Sequence, residues 1–306
     1  MKHNAPQIKV QLILPTEQVG FKDKMRGIWE LIRADKPIGI LLLMWPALWA
    51  LWIAGQGNPD WYVTLVFIAG SVLVRSAGCA MNDFADRRID TRVIRTCMRP
   101  IASGVVRPRE ALMIFAGLIL LACMLVFTLN LKTVMVSLIA LLLALVYPYT
   151  KRYTHFPQLV LGLAFGWMIP MSFSALEVEF NTITWLLFAA TTLWVLVYDT
   201  EYAMVDRDED RIIGIKSTAI LFGDYDVHII AGLQAVVIIL LLLVGVLDGR
   251  SWFYLIGIVL TAIYFVRQQQ LMKRDKKNGA FLAFQNNNCF GMTVFLILMI
   301  DYLLTS

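Results

Sequence analysis

The chain has 306 residues, of which 59% are hydrophobic and only 16% are charged. Soluble domains carry about 25% charged residues, so this composition excludes a soluble enzyme and a disordered chain. The four cysteines are scattered and include no C-x-x-C pair, which argues against a zinc site or a disulfide framework. We therefore expect a polytopic membrane protein.

The chain begins with a polar segment, which is followed by a series of apolar stretches. Residues 1–36 are predicted to form a cytoplasmic N-terminal segment, in which 20–33 fit either an amphipathic helix on the inner leaflet or a polar lead-in. Residues 37–306 are predicted to form a single transmembrane domain. Because backbone groups in lipid must be hydrogen-bonded internally, its apolar stretches are expected to be helices. Nine such stretches occur, most of them near the ~20 residues that span a bilayer: 38–54, 61–81, 111–129, 133–149, 159–176, 182–198, 229–247, 252–266 and 290–304.

Lysine and arginine are distributed unevenly between the two sides of this arrangement. The N-terminal segment and every second loop hold 24 of the 27, whereas the alternate loops hold only Lys132 and Arg250. Basic loops remain cytoplasmic, so the N-terminus is predicted to be cytoplasmic and the C-terminus to lie outside. The remaining basic residue, Arg75, lies within an apolar stretch, where a charge is costly and typical of a functional site.

Two clusters of polar oxygens follow the second and sixth apolar stretches. If these stretches continue as helices, at about 100° per residue, each cluster lines one helix face, whereas Asp208 points away from its cluster as a surface residue. Stacked carboxylates repel unless a cation holds them, and hard oxygen ligands suit Mg²⁺ that shares its shell with phosphate. Two facing clusters would therefore bind one or two Mg²⁺ and a pyrophosphate. Their members are Asn82, Asp86 and Asp90, and Asp199, Asp206 and Asp210.

Basic residues accompany both clusters. Lysine and arginine stabilise phosphate groups and a departing pyrophosphate electrostatically, although each of these residues is also explained as a topology anchor. The candidates are Arg33, Arg75, Arg99, Lys151 and Arg152.

The motif N-D-x-x-D-x-x-x-D that begins at Asn82, with a second D-x-x-x-D that begins at Asp206, resembles the UbiA superfamily of intramembrane prenyltransferases. The resemblance covers nearly the whole chain, residues 26–304. Longer stretches resemble the bacterial 4-hydroxybenzoate polyprenyltransferases of ubiquinone synthesis: YPYTKRYTHFPQ from Tyr147, VLGLAFGWMIPMSF from Val160 and YDTEYAMVDRDEDRIIGIKSTAILFG from Tyr198.

This resemblance implies an all-α fold in which nine transmembrane helices surround a central cavity that opens sideways to lipid. It implies Mg²⁺ held by Asn82, Asp86, Asp90, Asp206 and Asp210. It implies that pyrophosphate is contacted by Arg99, Lys151, Arg33 and Tyr147. The aromatic acid is expected near Arg75 and Asp199, with Arg152 as a further candidate.

The implied reaction transfers a polyprenyl group from polyprenyl diphosphate to the ring carbon ortho to the hydroxyl of 4-hydroxybenzoate. Asp86 and Asp206 would act through the metal, and Asp199 is the candidate base. The expected location is the bacterial inner membrane with a cytoplasmic active-site mouth, lipid as surroundings, and no nucleic acid or obligate protein partner.

Three other functions remain compatible with parts of this pattern. Membrane carboxylates also occur in cation-coupled transporters, although transport sites usually lie at the bilayer midplane. The pair Tyr198-Asp199 occurs in intramembrane aspartyl proteases, but the partner Gly-x-Gly-Asp motif is absent from the sequence. Within the superfamily, a naphthoate, homogentisate or haem acceptor is the alternative.

Overall fold

The computed structural model describes residues 19–91 and 96–305, and within these ranges the chain forms helices and no strand. The predicted segment 1–36 therefore lies partly outside the described residues. Twelve α-helices occur in the described ranges: α1 (Phe21–Leu31), α2 (Ile38–Ala54), α3 (Trp61–Asp90), α4 (Pro108–Val126), α5 (Leu131–Thr150), α6 (Pro157–Gly166), α7 (Met168–Ala175), α8 (Thr182–Ile213), α9 (Thr218–Phe222), α10 (Asp226–Leu247), α11 (Trp252–Arg274) and α12 (Lys276–Thr305).

The multi-pass, all-α prediction is confirmed. In the described ranges, eight helical segments are long and apolar enough to cross a membrane, and the shorter apolar helix α2, of 17 residues, accompanies them. Several helices continue beyond the apolar stretches that announced them: α3 reaches Asp90 and α8 reaches Ile213. Hydropathy detects only the apolar length of a helix, whereas the helical backbone hydrogen bonds continue into the polar part.

The apolar stretch 159–176 is divided into two helices, α6 and α7, which meet at Trp167. Pro170 lies in the first turn of α7. It has no backbone N–H to donate to the carbonyl of Gly166, and its ring crowds that carbonyl. The helix therefore restarts here instead of continuing unbroken.

The described residues form two compact units. The first comprises the described part of Met1–Lys36 together with Ser76–Leu118. Its apolar core is small and is formed by Leu31, Ala80, Ile101, Val106 and Ala111.

Helix α1 belongs to this first unit and is amphipathic. Gly27 and Leu31 are buried against the unit, whereas Phe21 and Trp29 are 79% and 57% exposed. Of the two possibilities for residues 20–33, the helix is therefore present, and its placement on the inner leaflet stays a prediction.

The second unit comprises Pro37–Arg75 and Ile119–Ser306 and contains the largest apolar core. Trp194 of α8 lies at its centre, with ring centroids 5.2 Å from Trp49 and 5.4 Å from Phe290. Both indole N–H groups are satisfied, because Trp49 donates to the carbonyl of Gly291 and Trp194 donates to Asn287. This packing fixes α8 against α2 and α12.

A buried polar network holds α8 in the same register. The side-chain amide of Asn287 in α12 donates to Glu201 of α8 at 2.8 Å. Gln234 of α10 donates to the side-chain oxygen of Gln268 in α11 at 2.7 Å and lies 3.4 Å from Glu201. All four side chains are buried. Buried polar groups that are fully hydrogen-bonded specify one arrangement of the helices, so the rotation of α8 about its axis is fixed.

Candidate active site

The carboxylates of the first predicted cluster lie on the last two turns of α3. Because the helix is continuous to Asp90, the residues Asn82, Asp86 and Asp90 follow one another at intervals of one turn on one face, as the spacing predicts. Asp86 and Asp90 are 3% and 5% exposed, and Asn82 is half-buried. Two of the predicted ligands are thus carboxylates that burial has largely removed from water.

Asp83, which the face analysis omits, organises the arginines of this unit. Arg33 donates from Nη2 to both carboxylate oxygens of Asp83, at 3.0 and 3.1 Å. Nη1 of Arg99 lies 3.1 Å from Asp83 and 3.1 Å from Asp90. Asp83 was missed because it lies about 100° from the Asn82 face, and its charge inside a helix is the signal that could have found it. The two arginines are thereby held at the carboxylate end of α3.

Arg33 adopts a backbone conformation that is unusual for a residue with a side chain. Its φ of 57° lies in the left-handed region, which costs of order 1–3 kcal/mol for such residues. Its guanidinium also donates to the carbonyl of Glu30 at 2.8 Å. The ion pair with Asp83 and this capping contact offset the strain and fix where the guanidinium lies.

In the second unit, α8 carries the other predicted cluster. Asn181 and Thr184 form a capping box at its start, and Gly214 ends it with φ 81°. Over this unbroken length, the three carboxylates of the cluster share one face, as predicted. All three are half-buried, whereas Asp208 is exposed. The face predicted to bind metal therefore differs in exposure from the opposite face. The three are Asp199, Asp206 and Asp210.

Lys151 lies in the turn that follows α5, and the segment after α8 packs against this turn. The backbone N–H of Lys216 donates to the carbonyl of Lys151 at 3.0 Å, and its ammonium donates to the carbonyl of Tyr153 at 3.1 Å. The guanidinium of Arg152 lies 5.7 Å from the ring centroid of Tyr149. These contacts fix the backbone that carries both basic residues.

Arg75, Lys151 and Asp199 converge within the second unit. The carboxylate of Asp199 interacts electrostatically with both cations, and the hydroxyl of Tyr198 interacts with Arg75, Asp199 and Tyr147. An anionic substrate group is attracted to this cluster by its two cations. Four of these five residues are predicted from the sequence, and Tyr198 is the one that is not.

Gly39 in the first turn of α2 provides the space for Arg75. A Cβ atom at Gly39 would lie 2.6 Å from Nε and 2.8 Å from Nη2 of Arg75. Only a glycine allows the flat guanidinium to lie so close to the helix backbone. No sequence signal marks this contact, because the two residues are 36 positions apart.

The structure thus groups the predicted site residues into two sets, one in each unit. Whether both sets bind the same metal and diphosphate stays a prediction. The first unit holds Arg33, Asn82, Asp86, Asp90 and Arg99, and the second holds Arg75, Tyr147, Lys151, Arg152, Asp199, Asp206 and Asp210.

Within the described ranges, no three His, Cys, Asp or Glu side chains are close enough together to form a complete metal cage. Mg²⁺ needs no such cage, since it is usually held by one or two carboxylates, waters and substrate phosphates. The amide and carboxylate oxygens on the last turns of α3 are hard donors of this kind. The donor set therefore fits Mg²⁺ that binds together with a diphosphate.

Comparison with known proteins identifies relatives along most of the chain. The sequence profile described as the UbiA prenyltransferase family matches residues 43–296. A protein from Escherichia fergusonii named 4-hydroxybenzoate octaprenyltransferase is 51% identical over 281 residues, which cover 92% of this chain and 97% of that relative. A protein of the same name from Pseudoalteromonas atlantica is 51% identical over 270 residues, covering 88% and 95%.

Two solved structures show the same fold. The apo structure of a UbiA homolog from Aeropyrum pernix K1 superposes with a TM-score of 0.76 at 25% identity, covering 86% of this chain and 97% of that one. A UbiA homolog from Archaeoglobus fulgidus bound to GPP and Mg²⁺ superposes with a TM-score of 0.69 at 16% identity, covering 89% and 99%.

Proposed function

Because the chain belongs to the UbiA prenyltransferase family, we propose that it transfers a polyprenyl group from polyprenyl diphosphate to 4-hydroxybenzoate. The new bond forms at the ring carbon ortho to the hydroxyl, diphosphate is released, and the product enters ubiquinone biosynthesis. Family membership favours prenyl transfer over cation transport and over proteolysis. The structural observation that carries the proposal is the convergence of Arg75, Lys151 and Asp199 inside a multi-pass membrane protein.

The diphosphate end of the donor substrate is assigned to the two carboxylate faces and their cations. Mg²⁺ would be held by Asn82, Asp86, Asp90, Asp206 and Asp210, and when bound it neutralises charge on the diphosphate leaving group. Lys151, Arg99 and Arg33 add positive charge, and Tyr147 adds a hydroxyl donor. Asp83 positions both arginines through its ion pairs. This set favours departure of the diphosphate with the electrons of the allylic C–O bond.

The acceptor is assigned to the cluster in the second unit. The guanidinium of Arg75 pairs with the carboxylate of the aromatic acid, a geometry that suits a planar fork of donors. Arg152, beside the ring of Tyr149, adds positive charge near the same turn. The ring carbon attacks the allylic carbon as the C–O bond breaks, and Asp199 accepts the proton that the ring or phenol releases. Atoms and charge balance without any further reactant.

The membrane setting follows from the substrates. A long isoprenoid chain stays in the bilayer, where apolar surface is stable, and only its diphosphate needs a polar site. We place the protein in the bacterial inner membrane, with its N-terminus and active-site mouth cytoplasmic, because loops rich in lysine and arginine generally remain on the cytoplasmic side of a membrane. Residues 1–36 are proposed as an N-terminal segment whose helix α1 lies on the membrane surface, and 37–306 as the transmembrane prenyltransferase domain.

The test uses the full-length protein in nanodiscs with Mg²⁺, geranyl diphosphate and a panel of aromatic acids, and product is measured by mass spectrometry. We expect prenylated 4-hydroxybenzoate that disappears on addition of EDTA and returns with excess Mg²⁺. Product only from a naphthoate, from homogentisate or from haem would overturn the acceptor assignment.

Three variants test the carboxylate assignment in the same assay. Asp86→Ala and Asp206→Ala are expected to lose at least about a hundredfold in kcat/KM, since each removes a charged ligand. Asp208→Ala is the matched control, because this residue is an exposed carboxylate of the same helix, α8. Wild-type kcat/KM in Asp86→Ala and Asp206→Ala would show that the carboxylate faces have no part in the reaction.

A further inference from the structure

Tyr198 carries a buried hydroxyl that the structure of the protein alone does not explain. Its side chain is 2% exposed, and its hydroxyl has no hydrogen-bond partner among the described residues. Tyr254 is equally buried, at 2% exposure, but its hydroxyl donates to the carbonyl of Leu241 at 3.1 Å. Both phenolic oxygens are buried, but within the described residues only that of Tyr254 has a hydrogen-bond partner.

The ring of Tyr198 has a packing role, whereas its hydroxyl has none. The ring meets Trp194 edge-on at a centroid distance of 5.4 Å and Phe284 at 6.1 Å. A phenylalanine would keep both contacts. Leaving a buried hydroxyl unpaired is destabilising, and an unsatisfied polar group in a native structure calls for an explanation, such as a ligand that binds there. The hydroxyl is thus a destabilising feature of the unliganded protein.

The residues around this hydroxyl indicate which ligand group accepts its hydrogen bond. It interacts electrostatically with Arg75, Asp199 and Tyr147, the residues to which the proposed function assigns the aromatic acid and part of the diphosphate. A bound carboxylate has about four lone-pair sites, of which a guanidinium fork uses two. The carboxylate therefore has room for a further O–H donor besides the guanidinium.

We propose that the hydroxyl of Tyr198 donates a hydrogen bond to the carboxylate of the acceptor, alongside the guanidinium of Arg75. This inference rests on the proposed function and extends it to a further substrate-contacting residue. It makes Tyr198 a determinant of acceptor specificity, since a hydrogen bond to an anionic oxygen is about twice as strong as one to a neutral oxygen.

The experiment compares Tyr198→Phe with Tyr254→Phe, each of which removes one buried hydroxyl and keeps its ring. Tyr198→Phe is expected to raise the thermal midpoint or leave it unchanged, and to raise KM for 4-hydroxybenzoate about tenfold or more, since hydrogen bonds to charged groups contribute about 1.5–3 kcal/mol. KM for geranyl diphosphate should stay the same, and 4-hydroxybenzamide, which lacks the charge, should be affected less than the acid. Tyr254→Phe should lower the midpoint and leave both KM values unchanged.

Several results would overturn the inference. A fall in the midpoint of Tyr198→Phe with unchanged KM values would show that its hydroxyl is satisfied within the protein. A rise in KM for geranyl diphosphate alone would assign the hydroxyl to the other anion, and an equal effect on acid and amide would exclude the carboxylate. Wild-type protein that forms no prenylated 4-hydroxybenzoate would overturn the proposed function as well. If the wild type is active and Tyr198→Phe has the same KM values, only this inference is overturned.

Discussion

Replacing Gly39 with alanine would place a methyl group where the guanidinium of Arg75 now lies. The new Cβ would be 2.6 Å from Nε, 2.8 Å from Nη2 and 3.0 Å from Cζ, whereas ordinary contact begins at 3.4 Å. The nearest atom must therefore retreat by the difference between 3.4 and 2.6 Å, about 0.8 Å. Because the displaced atoms are the end of a flexible side chain, the backbone does not have to move.

This displacement should lower the activity of the enzyme without lowering its stability. Alanine is favoured over glycine in a helix by up to about 1 kcal/mol, so the thermal midpoint of Gly39→Ala should equal or exceed that of the wild type. A misplacement of about 1 Å in an active site can cost about a hundredfold in rate. We expect kcat/KM for 4-hydroxybenzoate to fall about ten- to hundredfold, with KM for geranyl diphosphate unchanged.

The assay is steady-state turnover in nanodiscs with each substrate varied in turn, together with thermal melts of the same preparations. Gly232→Ala is the matched control, since a Cβ at this exposed helical glycine would have no heavy atom within 4 Å, and the variant should behave as the wild type. A folded Gly39→Ala protein with wild-type kcat/KM would refute the reasoning that the position of Arg75 determines acceptor binding.

Three further predictions concern stability and are checked by thermal melts. Gly162→Ala should destabilise by about 1–3 kcal/mol, because its Cβ would lie 2.5 Å from the carbonyl oxygen of Thr192, a backbone atom that cannot rotate away; an unchanged midpoint would contradict this. Asp83→Ala should cost about 3 kcal/mol, since it leaves two largely buried arginines without their shared partner; a smaller effect than in Asp208→Ala would argue against it. The carboxylate of Asp275 caps the start of α12, and hydrogen bonds from the side chain and backbone of Asn278 hold its pKa below the usual range. Its contribution is therefore complete at neutral pH and is lost as the pH falls through that lowered pKa, so the midpoint deficit of Asp275→Ala should shrink on acidification; a deficit that is constant with pH would rule out the capping charge.

Much of the fold follows from local rules that act along the chain. The length and apolar composition of nine stretches predicted the membrane helices, because the thickness of the bilayer sets the approximate length of every transmembrane helix. Helical periodicity also predicted the positions of three carboxylates in α8. Asp206 and Asp210 lie on the predicted face, and Asp208 is exposed on the opposite face. Hydropathy did not predict the break at Trp167, because it scores α6 and α7 as one apolar stretch.

The residues that complete the site depended on contacts between distant parts of the chain. Asp83 looked like an off-face carboxylate until its pairing with Arg33, 50 positions earlier, became visible. Gly39 looked like an ordinary helical glycine until the guanidinium of Arg75 was found against it.

By itself, then, the sequence determined a polytopic helical protein with two carboxylate faces, since both the apolar length and the 3.6-residue period are properties of neighbouring residues. The tertiary structure decided which cations lie beside which anions, which glycine a guanidinium requires, and which buried hydroxyl, that of Tyr198, is left without a partner among the described residues. These depend on how helices far apart in the chain pack together, because packing alone determines which polar atoms lose water and what replaces it.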